Sequence, residues 1–235
     1  MKRYSSKKDL VGSEIFEIFC SYQGEGFFVG EKQIFVRFSG CNLNCSFCDE
    51  PAAVSSGKKL SVDEVCSKIK KLSRVHSTKA VSLTGGEPLL EAKFIEKLCQ
   101  RLSKSAFRFR LETNGTMPEA LKRVLPFMEH VSADIKLPSM SGDILWARHR
   151  AFLRLARDRV CVKIVVSRNT EIREFKKAVM IIKKEAPESV LFIQPESREF
   201  FSGGKIENYD KFVIAASGLG NVRLLPQLHK IWNVK

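Results

Sequence analysis

The chain alternates between two hydrophobic rhythms. Runs rich in Val, Ile and Phe lie at 14–20, 33–38, 79–84, 107–112, 130–135, 160–166, 189–194 and 220–225. They have the length and composition of strands. Between most of them lie longer stretches with apolar residues at helical spacing: 61–73, 91–104, 117–127, 143–158, 170–185 and 207–217. Ser61 with Glu64 fits a capping box, and Asp63 suits the positive end of the helix that follows. Pro187 is the kind of residue found just past a helix end. No segment repeats, and none is of low complexity.

Strand–helix alternation at this spacing predicts an α/β fold with a parallel sheet and helices outside it. The units number about six after residue 60, which predicts a full or partial (β/α) barrel in a single domain over 1–235. Such barrels gather their chemistry at the C-terminal ends of the strands. Four polar or Gly-rich words directly follow strand runs: Thr84-Gly85-Gly86-Glu87-Pro88, Glu112-Thr113-Asn114-Gly115, Asp134-Ile135-Lys136 and Gln194-Pro195-Glu196. In one barrel all four fall on one rim.

Composition narrows the class. A chain of 235 residues with 44% hydrophobic and 28% charged positions is an ordinary globular one, long enough for a sizeable core. Disordered, collagen-like and disulfide-scaffold classes are excluded. No apolar run reaches the length of a membrane span. The opening Met1-Lys2-Arg3-Tyr4-Ser5-Ser6-Lys7-Lys8-Asp9 is basic and lacks an apolar signal core. This predicts a cytoplasmic protein with reduced thiols. The seven cysteines, an odd number, argue against a closed disulfide set. Cys66, Cys99 and Cys161 sit in apolar-patterned segments and read as small buried hydrophobes.

The net charge of 40 − 26 = +14 has two readings. It favours phosphate-bearing partners, or it is a Lys-rich solvated surface. The cations are dispersed (Lys68, Lys70 and Lys71; Lys176 and Lys177; Lys183 and Lys184), which favours the second.

The sharpest chemical signal is Cys41-Asn42-Leu43-Asn44-Cys45-Ser46-Phe47-Cys48. Soft thiolates in one short loop suit zinc or an iron–sulfur cluster. A closed zinc site needs four ligands, and no fourth is evident. His76 lies 28 residues past Cys48, while Cys20 and Cys66 fall in strand and helix patterns. Three thiolates on a four-iron cluster leave one iron open, as catalysis at a cluster requires.

This loop, with Phe47 before its last Cys, resembles the signature of the radical S-adenosylmethionine enzymes. In them the open iron chelates the amino and carboxylate groups of S-adenosylmethionine. Thr84-Gly85-Gly86-Glu87-Pro88 is similar to that superfamily's strand-end glycine word. Further words resemble the 7-carboxy-7-deazaguanine synthase family. They are Gln23-Gly24-Glu25-Gly26, Phe35-Val36-Arg37-Phe38, Gly40-Cys41, Glu112 through Thr116, Ser132 through Lys136, Pro138-Ser139, Gln194-Pro195 and Leu225-Pro226-Gln227-Leu228-His229-Lys230. The resemblance covers about residue 14 to 232.

The resemblance implies a lyase. A reduced 4Fe-4S cluster cleaves S-adenosylmethionine to a 5′-deoxyadenosyl radical, which takes hydrogen from 6-carboxy-5,6,7,8-tetrahydropterin. The ring contracts, ammonia leaves, and 7-carboxy-7-deazaguanine forms on a route to deazapurines such as queuosine. S-adenosylmethionine is regenerated. The resemblance further implies an external flavodoxin- or ferredoxin-like electron donor and a homodimer, with no membrane and no nucleic acid as partner.

The family positions imply residue roles. Cys41, Cys45 and Cys48 hold the cluster. Phe47, Cys48, Asp49, Gly86, Glu87, Ser132 and Lys136 bind S-adenosylmethionine. Tyr22, Gln23, Gly24, Arg37, Thr84, Gln227 and His229 bind the pterin. A guanidinium fork at Arg37 suits the substrate carboxylate, although a strand arginine also reads as an outward surface residue. His229 reads as a site residue or as a packing histidine. Glu25 reads as a turn residue, and His76, His130 and His149 as structural or exposed. One position departs from the family. Relatives carry Thr or Ser after the Cys-Asp pair, beside a Mg²⁺ ion; this chain has Glu50. A carboxylate is a stronger ligand for a hard cation, but longer and charged. Glu50 therefore marks a Mg²⁺ site of shifted geometry, a lost ion or a changed substrate. Two alternatives stand beside the lyase: an activating enzyme that places a radical on a partner protein, and a zinc-containing RNA-binding module.

Overall fold

The computed structural model describes residues 12–235, so the basic N-terminal segment lies outside the described residues. Among the described residues the strands are β1 (Gly12–Tyr22), β2 (Lys32–Phe38), β3 (Lys58–Ser61), β4 (Ala80–Gly85), β5 (Arg108–Thr113), β6 (Met128–Asp134), β7 (Val160–Val166), β8 (Leu191–Pro195) and β9 (Val222–Leu224). They form one open sheet in the order β3-β1-β2-β4-β5-β6-β7-β8-β9. From β2 through β9 every neighbouring pair in that order is parallel. β1 runs antiparallel to β2, and β3 antiparallel to β1. The partial barrel predicted from the pattern is therefore present, with an antiparallel edge that the pattern did not predict. β3 was missed because Lys58-Lys59-Leu60-Ser61 carries no hydrophobic run; its pairing with β1 makes it a strand.

The helices are α1 (Ala52–Ser55), α2 (Val62–His76), α3 (Ala92–Leu102), α4 (Pro118–Val124), α5 (Pro138–Ser141), α6 (Trp146–Ala156), α7 (Ile172–Glu185), α8 (Ser197–Phe201), α9 (Asp210–Ala215) and α10 (Leu228–Ile231). α2 begins as predicted. The Ser61 hydroxyl accepts the Glu64 N–H, while the Ser61 N–H donates to Glu64 Oε2 at 2.8 Å. α1, α5, α8 and α10 were not expected, because four or five residues are too few to show a period.

Strand side chains alternate between two faces. Val36, Leu83, Leu111, Val131, Val162 and Ile193 point toward the helices and join one continuous apolar core. That core also takes Phe94 and Leu98 from α3, Phe152 from α6 and Phe175 and Ile182 from α7. Every parallel strand from β4 to β8 thus has a sealed outer face and an inner face free to carry something else. The four polar words lie at or just past the C-terminal ends of β4, β5, β6 and β8, on one rim.

Candidate active site

The inner face encloses a cavity of about 800 Å³, within the range of small-molecule sites. Register stacks its wall residues in tiers. Ser82 pairs with Arg110 and Arg110 with His130 in one tier; Glu112 pairs with Ser132 and Ser132 with Cys161 in the next. Arg37 pairs with Thr84, and Asp134 with Lys163, near the rim.

Cys41, Cys45 and Cys48 all line this cavity. Their loop is stapled at several points. Asn42 donates to Thr116 Oγ1 at 2.9 Å and accepts from the Asn114 amide at 2.8 Å. Ser46 Oγ donates to Met140 O at 3.2 Å, and Arg198 Nη2 donates to Ser46 O at 3.2 Å. The Glu87 N–H donates to Gly40 O at 2.8 Å. Gly86 permits this approach: a Cβ there would stand 2.1 Å from the Gly40 carbonyl oxygen. The glycine word therefore brings the end of β4 against the cysteine loop.

Among the described residues no three His, Cys, Asp or Glu side chains converge on the space of a single ion. The three thiols are nonetheless near neighbours: Cys48 acts electrostatically on Cys41, and Cys41 and Cys48 both act on Cys45. A cube of four irons is wider than one ion, so this donor set fits the cluster better than a closed zinc site. Burial pushes the Cys41 and Cys45 thiols above the usual cysteine range. Iron binding there would displace protons.

The structure brings Tyr22, Gln23, Gly24, Arg37, Phe47, Asp49, Glu50, Thr84, Gly86, Ser132, Lys136, Gln227 and His229 onto the same cavity wall. Arg37 is on the inner face, which removes the outward reading. Its Nε donates to Glu17 at 3.0 Å, and Nη2 lies 3.9 Å from Glu50. The Lys136 ammonium lies 4.9 Å from the Phe47 ring centroid and donates to Asp134 Oδ2 at 2.8 Å. The His229 backbone and ring pack on Gly24, where a Cβ would stand 2.4 Å from Nδ1. Burial lowers the His229 pKa.

Glu87 is the exception. It is fully buried and turned away from the cavity. Its carboxylate accepts from Leu89 N at 2.9 Å, Thr113 Oγ1 at 2.8 Å and Asn114 N at 2.8 Å. Burial pushes its pKa up to about 7, against those three donors. The side chain ties the ends of β4 and β5 together.

Several wall residues had been given no role. Glu112 Oε1 accepts from Gln23 Nε2 at 2.6 Å and from Ser82 Oγ at 2.8 Å. Glu25, read as a turn residue, receives Lys163 Nζ at 2.6 Å and also the Gln227 amide. Gln227 donates in addition to Asp49 Oδ2 at 2.8 Å and accepts from Ser197. Burial alone would lower the Lys163 pKa, but Glu25 and Asp134 outweigh it and hold it above the usual lysine value. Lys163 did carry a signal, as a lone charge inside Val160–Val166. Asp134 Oδ1 is buried without a partner. His130 lines the cavity beside Phe27 and Phe28 and is held neutral, its pKa near 4, by burial and by Arg110. His149 is buried. Its Nδ1 faces Gly115 O at 3.2 Å, and its Nε2 accepts the Lys136 N–H at 3.2 Å.

Comparison with known proteins agrees with this geometry. The Radical SAM superfamily matches residues 35–193. A 7-carboxy-7-deazaguanine synthase of Geobacter sulfurreducens is 35% identical, over 93% of this chain and 96% of the relative. One from Methanopyrus kandleri is 34% identical, over 94% of this chain and 93% of the relative. The crystal structure of QueE from Escherichia coli superposes with a TM-score of 0.63 at 20% identity, covering 92% of this chain and 94% of that one. At that identity the likeness speaks for the fold.

Proposed function

The chain belongs to the 7-carboxy-7-deazaguanine synthase family of the radical S-adenosylmethionine superfamily, and from that premise we propose that it converts 6-carboxy-5,6,7,8-tetrahydropterin to 7-carboxy-7-deazaguanine with loss of ammonia. The observation that carries the reading is the meeting, on one cavity wall, of three loop thiols with the Gln23–Glu112–Ser82 hydrogen-bond set. Cys41, Cys45 and Cys48 would hold a 4Fe-4S cluster, which with S-adenosylmethionine would supply radical chemistry beside the pterin.

The chain's own residues bind, orient and exclude water. Phe47, Asp49, Gly86, Ser132 and Lys136 hold S-adenosylmethionine, and Glu87 supports that site from behind. Asp134 joins them, since its unpartnered oxygen is an acceptor waiting for a ligand donor. Tyr22, Gln23 and Gly24 form the pterin edge with Thr84 above them. Gln23 and Ser82 both donate to one oxygen of Glu112, which leaves the other for the pterin's N–H donors. Arg37 receives the substrate carboxylate: Glu17 occupies its Nε, and the side chain lines the cavity with Nη2 3.9 Å from Glu50. Glu50 offers one carboxylate to Mg²⁺, an ion often held by one or two carboxylates plus water and substrate oxygens. Gln227 and His229 close the cavity, helped by the Leu228 N–H, which donates to Gly24 O at 3.0 Å.

The same reading takes the chain as a single cytoplasmic domain over 1–235 with the cluster loop at 40–50. It works as a homodimer that receives electrons from a flavodoxin- or ferredoxin-like donor. Among the described residues no helix is long and apolar enough to cross a membrane.

The test is anaerobic reconstitution with iron and sulfide, then reaction with dithionite, S-adenosylmethionine and the tetrahydropterin, with and without Mg²⁺. Mass spectrometry is expected to find 7-carboxy-7-deazaguanine. S-adenosylmethionine cleavage without that product would overturn the substrate. Zinc bound in place of a cluster would overturn the chemistry.

A further inference from the structure

Below the Gln23–Glu112 pair lies an ionic assembly that the proposed chemistry does not use. The Arg110 guanidinium carbon stands 3.3 Å from the centroid of the Phe28 ring. The Arg110 side chain is only 6% exposed. Its Nε donates to Glu129 Oε2 at 2.9 Å, and its Nη1 donates to Glu31. Arg108 binds the same two carboxylates, with Nη2 on Glu31 at 2.8 Å and Nε 3.5 Å from Glu129. Two arginines and two glutamates form a closed, charge-balanced box with an aromatic ring as its lid.

Phe28 and Glu31 belong to the segment that begins at Gln23. The Gln23 N–H donates to Glu31 O at 2.9 Å, the Gly30 N–H to Gln23 O at 2.8 Å, and the Glu31 N–H to Phe28 O at 3.0 Å. Residues 23–31 are therefore one compact loop. One end carries Gln23, Gly24 and Glu25; the other rests on Arg110. Arg110 and Glu112 lie two residues apart on the same face of β5, so one strand grips the loop at both ends.

We propose that Arg110 is the positioning residue of the substrate loop, holding Gln23 and Gly24 at the pterin edge through its stack on Phe28 and its bond to Glu31. The inference rests on the pterin reading above. Burying a guanidinium is unfavourable unless its donors are met, and here two carboxylates and a ring face meet them. Apolar packing would serve stability as well. What the box adds is direction, because a planar fork fixes both the ring above it and the carboxylates beside it. Lysine provides neither plane nor fork. The box does not touch the cysteine loop, so cleavage of S-adenosylmethionine without pterin is expected to respond to it far less than the pterin KM does.

The test uses reconstituted holoenzyme carrying R110K, F28L or F28W. R110K and F28L are expected to raise the KM for 6-carboxytetrahydropterin about tenfold, with a smaller change in kcat. Amide hydrogen exchange over 23–31 should quicken in both. Cleavage of S-adenosylmethionine without pterin should stay at the wild-type rate. F28W keeps a ring over the guanidinium and should restore the KM. Unchanged KM and unchanged exchange in both R110K and F28L would overturn the proposal. So would a parallel loss of S-adenosylmethionine cleavage in a folded F28L protein, which would mean a general structural role. If the wild-type enzyme makes no 7-carboxy-7-deazaguanine, the pterin reading falls, and exchange over 23–31 still decides whether Arg110 pins the loop.

Discussion

The two faces of the parallel sheet share a backbone and little else. On β7, Val160, Val162, Ile164 and Val166 pack under the helices, while Cys161 and Lys163 face the cavity. On β4 the same split separates Val81 and Leu83 from Ser82 and Thr84. The outer face holds the molecule together by apolar burial, which is additive and non-directional. The inner face carries polar groups that are costly to bury, and most of them are paired; Asp134 Oδ1 is an acceptor left without a partner. Stability and function are thus assigned to alternate residues of the same strands. A substitution on one face should move a different observable from its neighbour on the other.

The largest effect is expected at the rim. Cys45→Ala should abolish cluster assembly and all turnover, read as iron and sulfide content after reconstitution. Its melting temperature without iron should stay near wild type, because the loop is also held by Asn42 and Ser46. A full cluster in this variant would remove Cys45 from the ligand set.

Next comes the charge inside the cavity. Lys163→Met strands Glu25 and Asp134 opposite each other, and should cost about 3 kcal/mol of stability, measured by urea unfolding. Adding Glu25→Gln should recover part of that loss. If the double variant is no better than the single one, Lys163 does not owe its place to that pair.

The neighbouring residues of β4 give the sharpest form of the comparison. Leu83→Ala should cost about 2–5 kcal/mol through the cavity it leaves, with KM for the pterin unchanged in the protein that remains folded. Thr84→Ala should cost less than about 1 kcal/mol and raise that KM. If both variants shift the same quantity, the division of labour between the faces is wrong.

The most gradual effect is a pH dependence at His149. Burial lowers its pKa from 6.5 to about 4. The unfolded chain therefore takes up a proton near pH 6.5 while the folded one resists until near pH 4. The stability this residue contributes is fully present above pH 6.5 and is lost as the pH falls through that window. Its ceiling is about 3 kcal/mol. His149→Gln should flatten the unfolding free energy between pH 7 and pH 4.5. An unchanged slope would assign the acid sensitivity elsewhere.

The outer face was the legible one. All eight strand runs, from 14–20 to 220–225, recur as β1, β2 and β4 to β9 to within two or three residues. Apolar burial repeats along a strand with period two and along a helix with period 3.6, so it leaves a trace in the order of residues. The cysteine loop and the glycine word were legible for another reason. Their chemistry depends on short spacings within a single segment.

The inner face was legible only in part. Glu25 looked like a turn residue because its partner Lys163 lies 138 positions away, and Gln227 meets Asp49 across 178 positions. Glu87 looked like a ligand, since a carboxylate in a rim word reads the same whether it faces the cavity or turns inward to three donors.

What the order of residues determined by itself was the alternation of strand and helix, the rim on which the chemistry gathers, and the thiol set. Tertiary structure alone decided the antiparallel edge, the orientation of Glu87, the pairing of Lys163 and the grip of Arg110 on the substrate loop. The physical reason is range. Periodicity and motif spacing act within about a dozen residues. The direction and partner of a buried charge are chosen by whichever distant segments the fold brings within hydrogen-bond reach.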